Sequence, residues 1–359
     1  MEGFGHYSLE LTQRICRNHP EIDFVLFFDR EVDPKFLFSE NVRKVVLFPP
    51  TRHPFLYVIW FEISLRRALS KYKIDLLWTP DGFCSLGSKV PQIATIHDLN
   101  FEHYPKDLPL LVRSYFRFFF PRFARKAQKI ITVSNYSKHD IQQTYSISED
   151  KIQVVYNAAN QDFKPLNQAA IMDVRQHVSN GKPFFLFVGS LHPRKNVHRL
   201  LEAFSQCHES LGEMQLVIVG SAMWDKNFLA LPEVVKHKIH LTGHVQMNEL
   251  ISIVGAAYAL TFIPYFEGFG IPLVEAMSCG VPIVSSNATC LPEVAGDAAI
   301  YCDPFDISSI KDALLSICTD TEKRNELSMN GLRRSKEFSW DKSAEQIAEM
   351  LKIELLKIN

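Results

Sequence analysis

Strand-like apolar runs alternate with helix-like amphipathic segments along nearly the whole chain. The first six predicted strands are DFVLFF, KVVLF, DLLWT, QIATIHD, KIITVS and KIQVVYN. The next six are FFLFVGS, QLVIVGS, KIHLTGH, YALTFIP, PIVSS and the shorter AAIYCDP. Such alternation is typical of parallel sheets whose strands are connected by helices. The sequence therefore predicts an α/β protein with doubly wound parallel sheets.

A length of 359 residues favours two domains. The polar, turn-rich segment NAANQDFKPLNQAAIMDVRQHVSNGKP separates the two sets of strands and places the boundary near 160–182. We expect domains at 1–165 and 178–338, and a C-terminal helix at 339–359 that packs back toward the first domain. Two domains of this kind face each other across a cleft, and ligands bind at the C-terminal ends of their strands.

Charge and cysteine content exclude several classes of protein. The net charge of −1 provides no basic field for nucleic acid. Seven scattered cysteines without a C-x-x-C pair argue against a disulfide framework or a zinc site and fit a reducing cytoplasm. No signal peptide and no apolar run long enough for a bilayer is present. We therefore expect a soluble cytoplasmic protein that binds no nucleic acid.

The segment EGFGIPLVE places Glu267 and Glu275 around a glycine-rich turn. Pro272 suits a helix start, so PLVEAMSC is predicted to be a helix that ends at Gly280, with Glu275 in its first turn. Amides at a helix start favour an anion such as phosphate. The amides in question belong to Gly268, Phe269, Gly270 and Ile271. An ordinary turn before a packed helix explains the segment equally well.

Other candidate residues follow predicted strands. Gly189 ends FFLFV, and Arg194 and Lys195 come shortly after it, where they could clamp a diphosphate. A solvated cationic loop is the alternative.

The next two strands of the second half end at glycines, and a histidine ends one strand of the first half. Gly220-Ser221 and Gly243-His244-Val245 could meet a nucleobase, and their shared position at one sheet edge strengthens this interpretation. His97-Asp98 ends QIATI, where His97 is either catalytic or a satisfied structural residue. The chain contains no D-x-D triplet, so no metal–diphosphate carboxylate motif is evident.

These segments together resemble the retaining GT-B glycosyltransferases of glycosyltransferase family 4, a group that includes many bacterial mannosyltransferases. The resemblance runs almost from end to end. It is carried by GFGHY at 3–7, TIHDL at 95–99, KIITVSNYSKHDI at 129–141, VVYNAANQDF at 154–163, FVGSLHPRKNVHRLLEAF, IVGS, the GHV turn, the E-x7-E segment, LPEVAGDAA at 291–299 and FSW at 338–340. E-x7-E is the most specific of these motifs.

The resemblance implies a role for each candidate residue. Glu275 would bind the ribose of a nucleotide-sugar donor, Glu267 the sugar hydroxyls, and the amides of 268–271 the sugar and distal phosphate. Arg194 and Lys195 would neutralise the departing diphosphate in place of a metal ion, so no metal or other cofactor is expected. His97 would contact the donor sugar, and Asp98 would orient its loop. Both glutamates would bind the donor rather than attack it, unlike the carboxylate pair of a glycosidase.

The chain departs from the family pattern at its beginning. GFGHY matches the family's first glycine-rich loop, which makes Gly3 and Gly5 candidate donor-binding residues. No apolar strand precedes this loop, so we expect that translation begins upstream of Met1. His6 stands where the family has an arginine, which weakens any role for that position.

The segment RSYFRFFFPRFARKAQK at 113–129 combines basic and aromatic residues. Phe116, Phe119, Phe120 and Phe123 lie along one helical face. A helix packed on the first domain's sheet is the favoured interpretation. Peripheral contact with the inner face of the cytoplasmic membrane stays open as the alternative.

The predicted function is therefore hexosyl transfer, with retention, from a nucleotide sugar to a glycan or polyprenyl-linked acceptor in surface polysaccharide synthesis. GDP-mannose is the favoured donor and a UDP-sugar the second choice. A catalytically silent scaffold subunit and a sugar-nucleotide epimerase of the same fold are the alternatives.

Overall fold

The computed structural model describes residues 3–33, 38–51, 53–220 and 231–358, without the side chain of Phe4. The chain divides into two compact units. The first unit comprises residues 1–157 and 339–359, and the second comprises residues 158–338. No helix in the described ranges combines the length and the hydropathy that a membrane span requires.

The described part of the first unit contains two parallel sheets. A two-stranded sheet pairs β1 (Phe24–Phe28) with β2 (Val42–Val46). A four-stranded sheet follows chain order and consists of β3 (Leu77–Thr79), β4 (Gln92–Thr95), β5 (Lys129–Thr132) and β6 (Ile152–Val154). Five of these strands lie within predicted apolar runs, and β2 overlaps the run KVVLF but begins two residues before it. All six predicted strands are therefore present.

Six α-helices occur among the described residues of 3–157. They are α1 (Gly3–Asn18), α2 (Pro54–Ile59), α3 (Arg66–Lys71), α4 (Asn100–His103), α5 (Leu110–Lys126) and α6 (Asn135–Tyr145). A π-helical segment, Trp60–Leu65, joins α2 to α3, and short 3-10 turns span Pro105–Asp107 and Glu149–Lys151.

The second unit contains one parallel sheet with the strand order β12-β11-β10-β7-β8-β9. Its strands are β7 (Phe184–Val188), β8 (Gln215–Val219), β9 (Ile239–Gly243), β10 (Ala259–Phe262), β11 (Ile283–Ser286) and β12 (Ala299–Cys302). Every side chain of β7 is buried, as expected for a strand covered on both faces. All six strands again match predicted runs, and the predicted fold class is confirmed.

The described helices of the second unit, and the C-terminal helix that returns to the first, complete the chain. They are α7 (Gln168–Ser179), α8 (Val197–Cys207), α9 (Glu233–Lys236), α10 (Met247–Ala256), α11 (Ile271–Ser278), α12 (Leu291–Ala295), α13 (Ile307–Thr319), α14 (Thr321–Arg334) and α15 (Trp340–Leu356). Short 3-10 turns span Pro193–Lys195, Gly296–Ala298 and Ser335–Glu337.

The predicted glycine-rich loop at 3–7 is wrong, because the chain is already helical from Gly3 onward in α1. Tyr7, Leu11 and Ile15 recur every four residues and are almost completely buried. This spacing gives the segment an apolar helical face, which overrides the turn preference of Gly3 and Gly5. The two glycines therefore lie in the first two turns of a helix.

Helix α15 packs against α1 within the first unit. The rings of Trp340 and Tyr7 meet edge to face, with their centroids 6.1 Å apart. Arg14 donates a hydrogen bond to Asp341 at 2.8 Å. The Ser343 hydroxyl donates to the carbonyl of Tyr156 at 2.6 Å. These contacts tie the C-terminal helix to the unit in which the chain begins.

The four phenylalanines at 113–129 belong to the core of the first unit. Phe120 and Phe123 are buried, and Phe116 and Phe119 pack against the same apolar cluster. Pro121 lies inside α5 without ending it. The packed-helix interpretation of this face is therefore confirmed.

Candidate donor site

Asn196 fixes the turn that carries the two candidate cations. It follows the 3-10 turn Pro193–Lys195 and adopts a left-handed backbone conformation with φ 62°, which asparagine tolerates better than most residues. Its fully buried side-chain amide donates to the carbonyls of Ile263 at 3.0 Å and Pro304 at 2.7 Å. Asn196 is not among the residues predicted from the sequence, although an asparagine directly before a helix is a recognisable turn signal.

Arg194 and Lys195 both reach Glu267, which is 6% exposed. Arg194 Nη1 lies 3.2 Å from Glu267 Oε2, and Lys195 Nζ pairs with Oε1. Two carboxylate oxygens thus meet two cations in a site that is largely closed to water. The structure brings Glu267 against Lys195, from which it is 72 positions away in the sequence, and against the neighbouring Arg194.

Each cation has a second contact that does not involve Glu267. Arg194 Nη1 also donates to the carbonyl of Phe266 at 3.3 Å. Lys195 Nζ lies 5.0 Å from the centroid of the Phe262 ring, within range of a cation–π interaction. These contacts hold the cations at the C-terminal edge of the sheet, where β7 and β10 end.

The two cations set the charge of Glu267. Burial raises the pKa of its carboxyl, but the positive charges of Arg194 and Lys195 outweigh burial and hold that pKa below its usual value. Glu267 is therefore ionised at neutral pH.

The backbone of Glu267 has hydrogen-bond partners of its own. Its N–H donates to Thr289 Oγ1 at 3.3 Å, and its carbonyl accepts from Cys290 Sγ at 3.3 Å.

The turn after Glu267 leads directly into α11. Gly270 has φ 88°, and a Cβ at this position would lie 2.9 Å from a Leu291 methyl carbon, so only glycine fits. Phe269 is buried and packs edge to face on Phe338, with the ring centroids 5.6 Å apart. Pro272 falls in the first turn and Gly280 follows the end of the helix with φ 67°, as predicted. Gly268 and Ile271 flank this turn at the positive end of α11.

Glu275 differs from Glu267 in its surroundings. It is the fifth residue of α11, so its predicted place in the first turn is wrong by one residue. It is 7% exposed, and burial raises the pKa of its carboxyl to about 7. Among the described residues no ion pair reaches this side chain. The environments of the two glutamates therefore shift their carboxyl pKa values in opposite directions, down for Glu267 and up for Glu275.

Three strand ends meet at the same edge of the second sheet. The Gly189 N–H donates to Val219 O at 3.0 Å, and the Gly220 N–H donates to Gly243 O at 2.9 Å. A Cβ at Gly220 would overlap the carbonyl oxygen of Gly189, so the two backbones can approach only because residue 220 is glycine. The predicted shared edge is thus observed.

The loop that follows β9 carries the next two candidate residues. His244 is exposed and Val245 half-buried. Ser221 lies outside the described residues.

His97 lies at the end of β4 in the first unit. Its Nε2 donates to the carbonyl of Pro80 at 2.9 Å, and its ring centroid is 4.5 Å from that of Tyr7. Burial lowers the pKa of His97 more than the Pro80 carbonyl and Asp98 raise it, so the imidazole is neutral at pH 7. The His97 carbonyl accepts from Ser137 Oγ at 3.0 Å, and Asp98 Oδ1 accepts from Asn100 N at 3.0 Å.

Two family models match the chain, one in each half. The model described as "Glycosyltransferase Family 4" matches residues 1–163. The model described as "Glycosyl transferases group 1" matches residues 172–334. The O-antigen chain mannosyltransferase B of Escherichia coli is 30% identical over 98% of this chain and 96% of its own. The chain is a glycosyltransferase and belongs to glycosyltransferase family 4.

Several solved glycosyltransferase structures share the GT-B fold with this chain. Sucrose-phosphate synthase from Thermosynechococcus elongatus has a TM-score of 0.79 at 18% identity, covering 99% of this chain and 94% of its own. HepE of Anabaena, solved in complex with UDP and glucose, has a TM-score of 0.77 at 18% identity, covering 98% of this chain and 96% of its own. At these identities the likeness establishes the fold alone.

The raised pKa of Glu275 predicts a pH-dependent stability. The folded state holds this proton up to about pH 7, whereas the unfolded chain releases it near the ordinary glutamate value. The carboxyl therefore stabilises the fold at low pH and loses that contribution as pH rises toward 7. Glu275→Gln should gain about 3 kcal/mol relative to wild type between about pH 4.5 and pH 8.

Chemical denaturation at a series of pH values measures this difference. Glu202→Gln, which removes an exposed carboxyl from α8 in the same unit, serves as the control and should follow wild type. A constant difference between Glu275→Gln and wild type at every pH would contradict the prediction.

Proposed function

We propose that this chain transfers a mannosyl unit, with retention of anomeric configuration, from GDP-mannose to a glycan or polyprenyl-linked acceptor during surface polysaccharide synthesis. The observation that carries the proposal is the partly buried cationic pair Arg194 and Lys195 in the turn after β7, beside Glu267 and the start of α11. Two fixed cations and a helix N-terminus together suit a diphosphate that gains charge as it leaves.

The mannosyl donor is inferred from relatives. The E. coli relative that aligns over nearly the whole chain is named an O-antigen chain mannosyltransferase. HepE of Anabaena has been solved with UDP-glucose, which keeps a UDP-sugar as the second choice of donor. Neither nucleotide is distinguished by the described residues at the ends of β8 and β9.

Retention in this proposal needs no covalent intermediate. Glu267 is ion-paired and Glu275 lies within a helix, so both are assigned to donor binding. The acceptor hydroxyl would approach the face that the diphosphate leaves, and the leaving phosphate would take its proton. His97, neutral and fixed by Pro80, would contact the sugar.

We also propose that the protein is cytoplasmic and touches the inner membrane face through its first unit. Several large apolar side chains of this unit are more than half exposed: Phe48, Phe55, Leu110, Leu111 and Phe118. Exposed aromatic and aliphatic side chains near arginines suit an anionic lipid surface. Flotation with anionic vesicles but not with neutral ones is expected, and absence from both vesicle fractions would refute the contact.

Donor choice and metal independence are tested together. GDP-mannose should raise the melting temperature of the purified protein more than UDP-glucose does, because a ligand stabilises the state that binds it. The shift and the transfer of mannose should both persist in EDTA, since Arg194 and Lys195 supply the positive charge. A larger shift with UDP-glucose would reverse the choice of donor, and turnover that vanishes in EDTA and returns with manganese would refute metal independence.

Kinetics separate the roles of Lys195 and Glu275. Lys195 meets charge that grows in the transition state, so Lys195→Ala should lower kcat about a hundredfold or more. Glu275 would hold the ribose, which does not change during the reaction, so Glu275→Ala should mainly raise the donor KM. Steady-state assays at saturating donor measure both values. An unchanged kcat for Lys195→Ala would contradict the assignment.

A further inference from the structure

The candidate donor site contains an anion of the protein's own, the Glu267 carboxylate. Each oxygen of the Glu267 carboxylate faces one of the two cations, Arg194 at 3.2 Å and Lys195 in direct contact. All three side chains are at most one-fifth exposed, so water screens these charges poorly. A diphosphate that approaches these two cations therefore has to displace the Glu267 carboxylate from them.

We propose that Glu267 is an internal counter-ion that competes with the diphosphate for Arg194 and Lys195 and so weakens the hold of the site on the nucleoside diphosphate product. The inference rests on the proposed function, because it assigns these cations to a diphosphate. Without the carboxylate, two poorly solvated cations would bind the doubly ionised product tightly and delay its release.

The Glu267 carboxylate can move away from the two cations without breaking the other contacts that hold these residues in place. Thr289 and Cys290 hold the backbone of Glu267 through its N–H and its carbonyl. Arg194 keeps its bond to the carbonyl of Phe266, and Lys195 keeps the Phe262 ring. Both cations thus have anchors that survive when Glu267 is displaced.

Displacement also releases the acceptor oxygens of Glu267. A carboxylate accepts hydrogen bonds through both oxygens, and a hexose offers hydroxyl donors. Once the diphosphate has taken over the cations, Glu267 is free to bind sugar hydroxyls. When the sugar has been transferred, the carboxylate loses those partners and competes for the cations again. The same side chain therefore favours a bound donor over a bound product.

Binding of inorganic diphosphate, measured by calorimetry, tests this competition. Glu267→Gln keeps the size of the side chain and removes its charge. The variant should bind inorganic diphosphate at least about tenfold more tightly than wild type. GDP should also inhibit its turnover more strongly. Glu202→Gln removes the same charge from the exposed face of α8 and should alter the affinity less than about twofold.

The outcomes separate this inference from the proposed function. If Glu267→Gln binds diphosphate no more tightly than wild type, and Lys195→Met weakens that binding, the inference alone is refuted. Binding that Lys195→Met does not weaken, or no binding by wild type and Glu267→Gln alike, refutes the donor site and the inference together. If Glu267→Gln does not fold, the change is combined with Arg194→Gln, because the double variant has the same net charge at the site as wild type. The double variant should bind diphosphate more tightly than Arg194→Gln alone.

Discussion

The buried contact of Glu267 with Arg194 and Lys195 is the interaction on which the rest of the site depends. The carboxylate pairs with two cations that would otherwise be costly to hold away from water. It also links the turn after β7 to the loop after β10, two segments that are far apart in the sequence. The fully buried Asn196 supports the same link through the carbonyl of Ile263.

Two glutamates eight positions apart have opposite electrostatic environments. Two cations hold the pKa of Glu267 low, whereas burial raises that of Glu275 to about 7. The backbone geometry explains the difference: Glu267 precedes the turn and faces the end of β7, and Glu275 lies within α11. One segment thus supplies an ionised group and a group that titrates near neutral pH.

The fold could be predicted from the sequence because buried parallel strands appear as continuous apolar runs. All twelve predicted strands occur in the described residues. The prediction failed at residues 3–7, because the resemblance of GFGHY to a glycine-rich loop does not take account of the four-residue spacing of Tyr7, Leu11 and Ile15. Periodicity over several turns is the stronger signal there.

The candidate site was only partly predictable. The strand ends and the glycine-rich turn led to residues of the second unit that the structure places at one edge of its sheet, since parallel strands end at one edge. The ion pairs of Glu267 could not be read from the sequence, because Glu267 is more than 70 residues from both cations and their meeting depends on the order of β10 and β7 in the sheet. The roles assigned to these residues in donor binding stay predictions.

A crystal structure with bound GDP tests the central claim most directly. We expect phosphate oxygens within hydrogen-bonding distance of Lys195 Nζ and the Arg194 guanidinium, with the Glu267 carboxylate moved away from both. The purine and ribose should lie toward the ends of β8 and β9 and toward Glu275. A diphosphate bound elsewhere, or one bound while Glu267 keeps both cations, would contradict it.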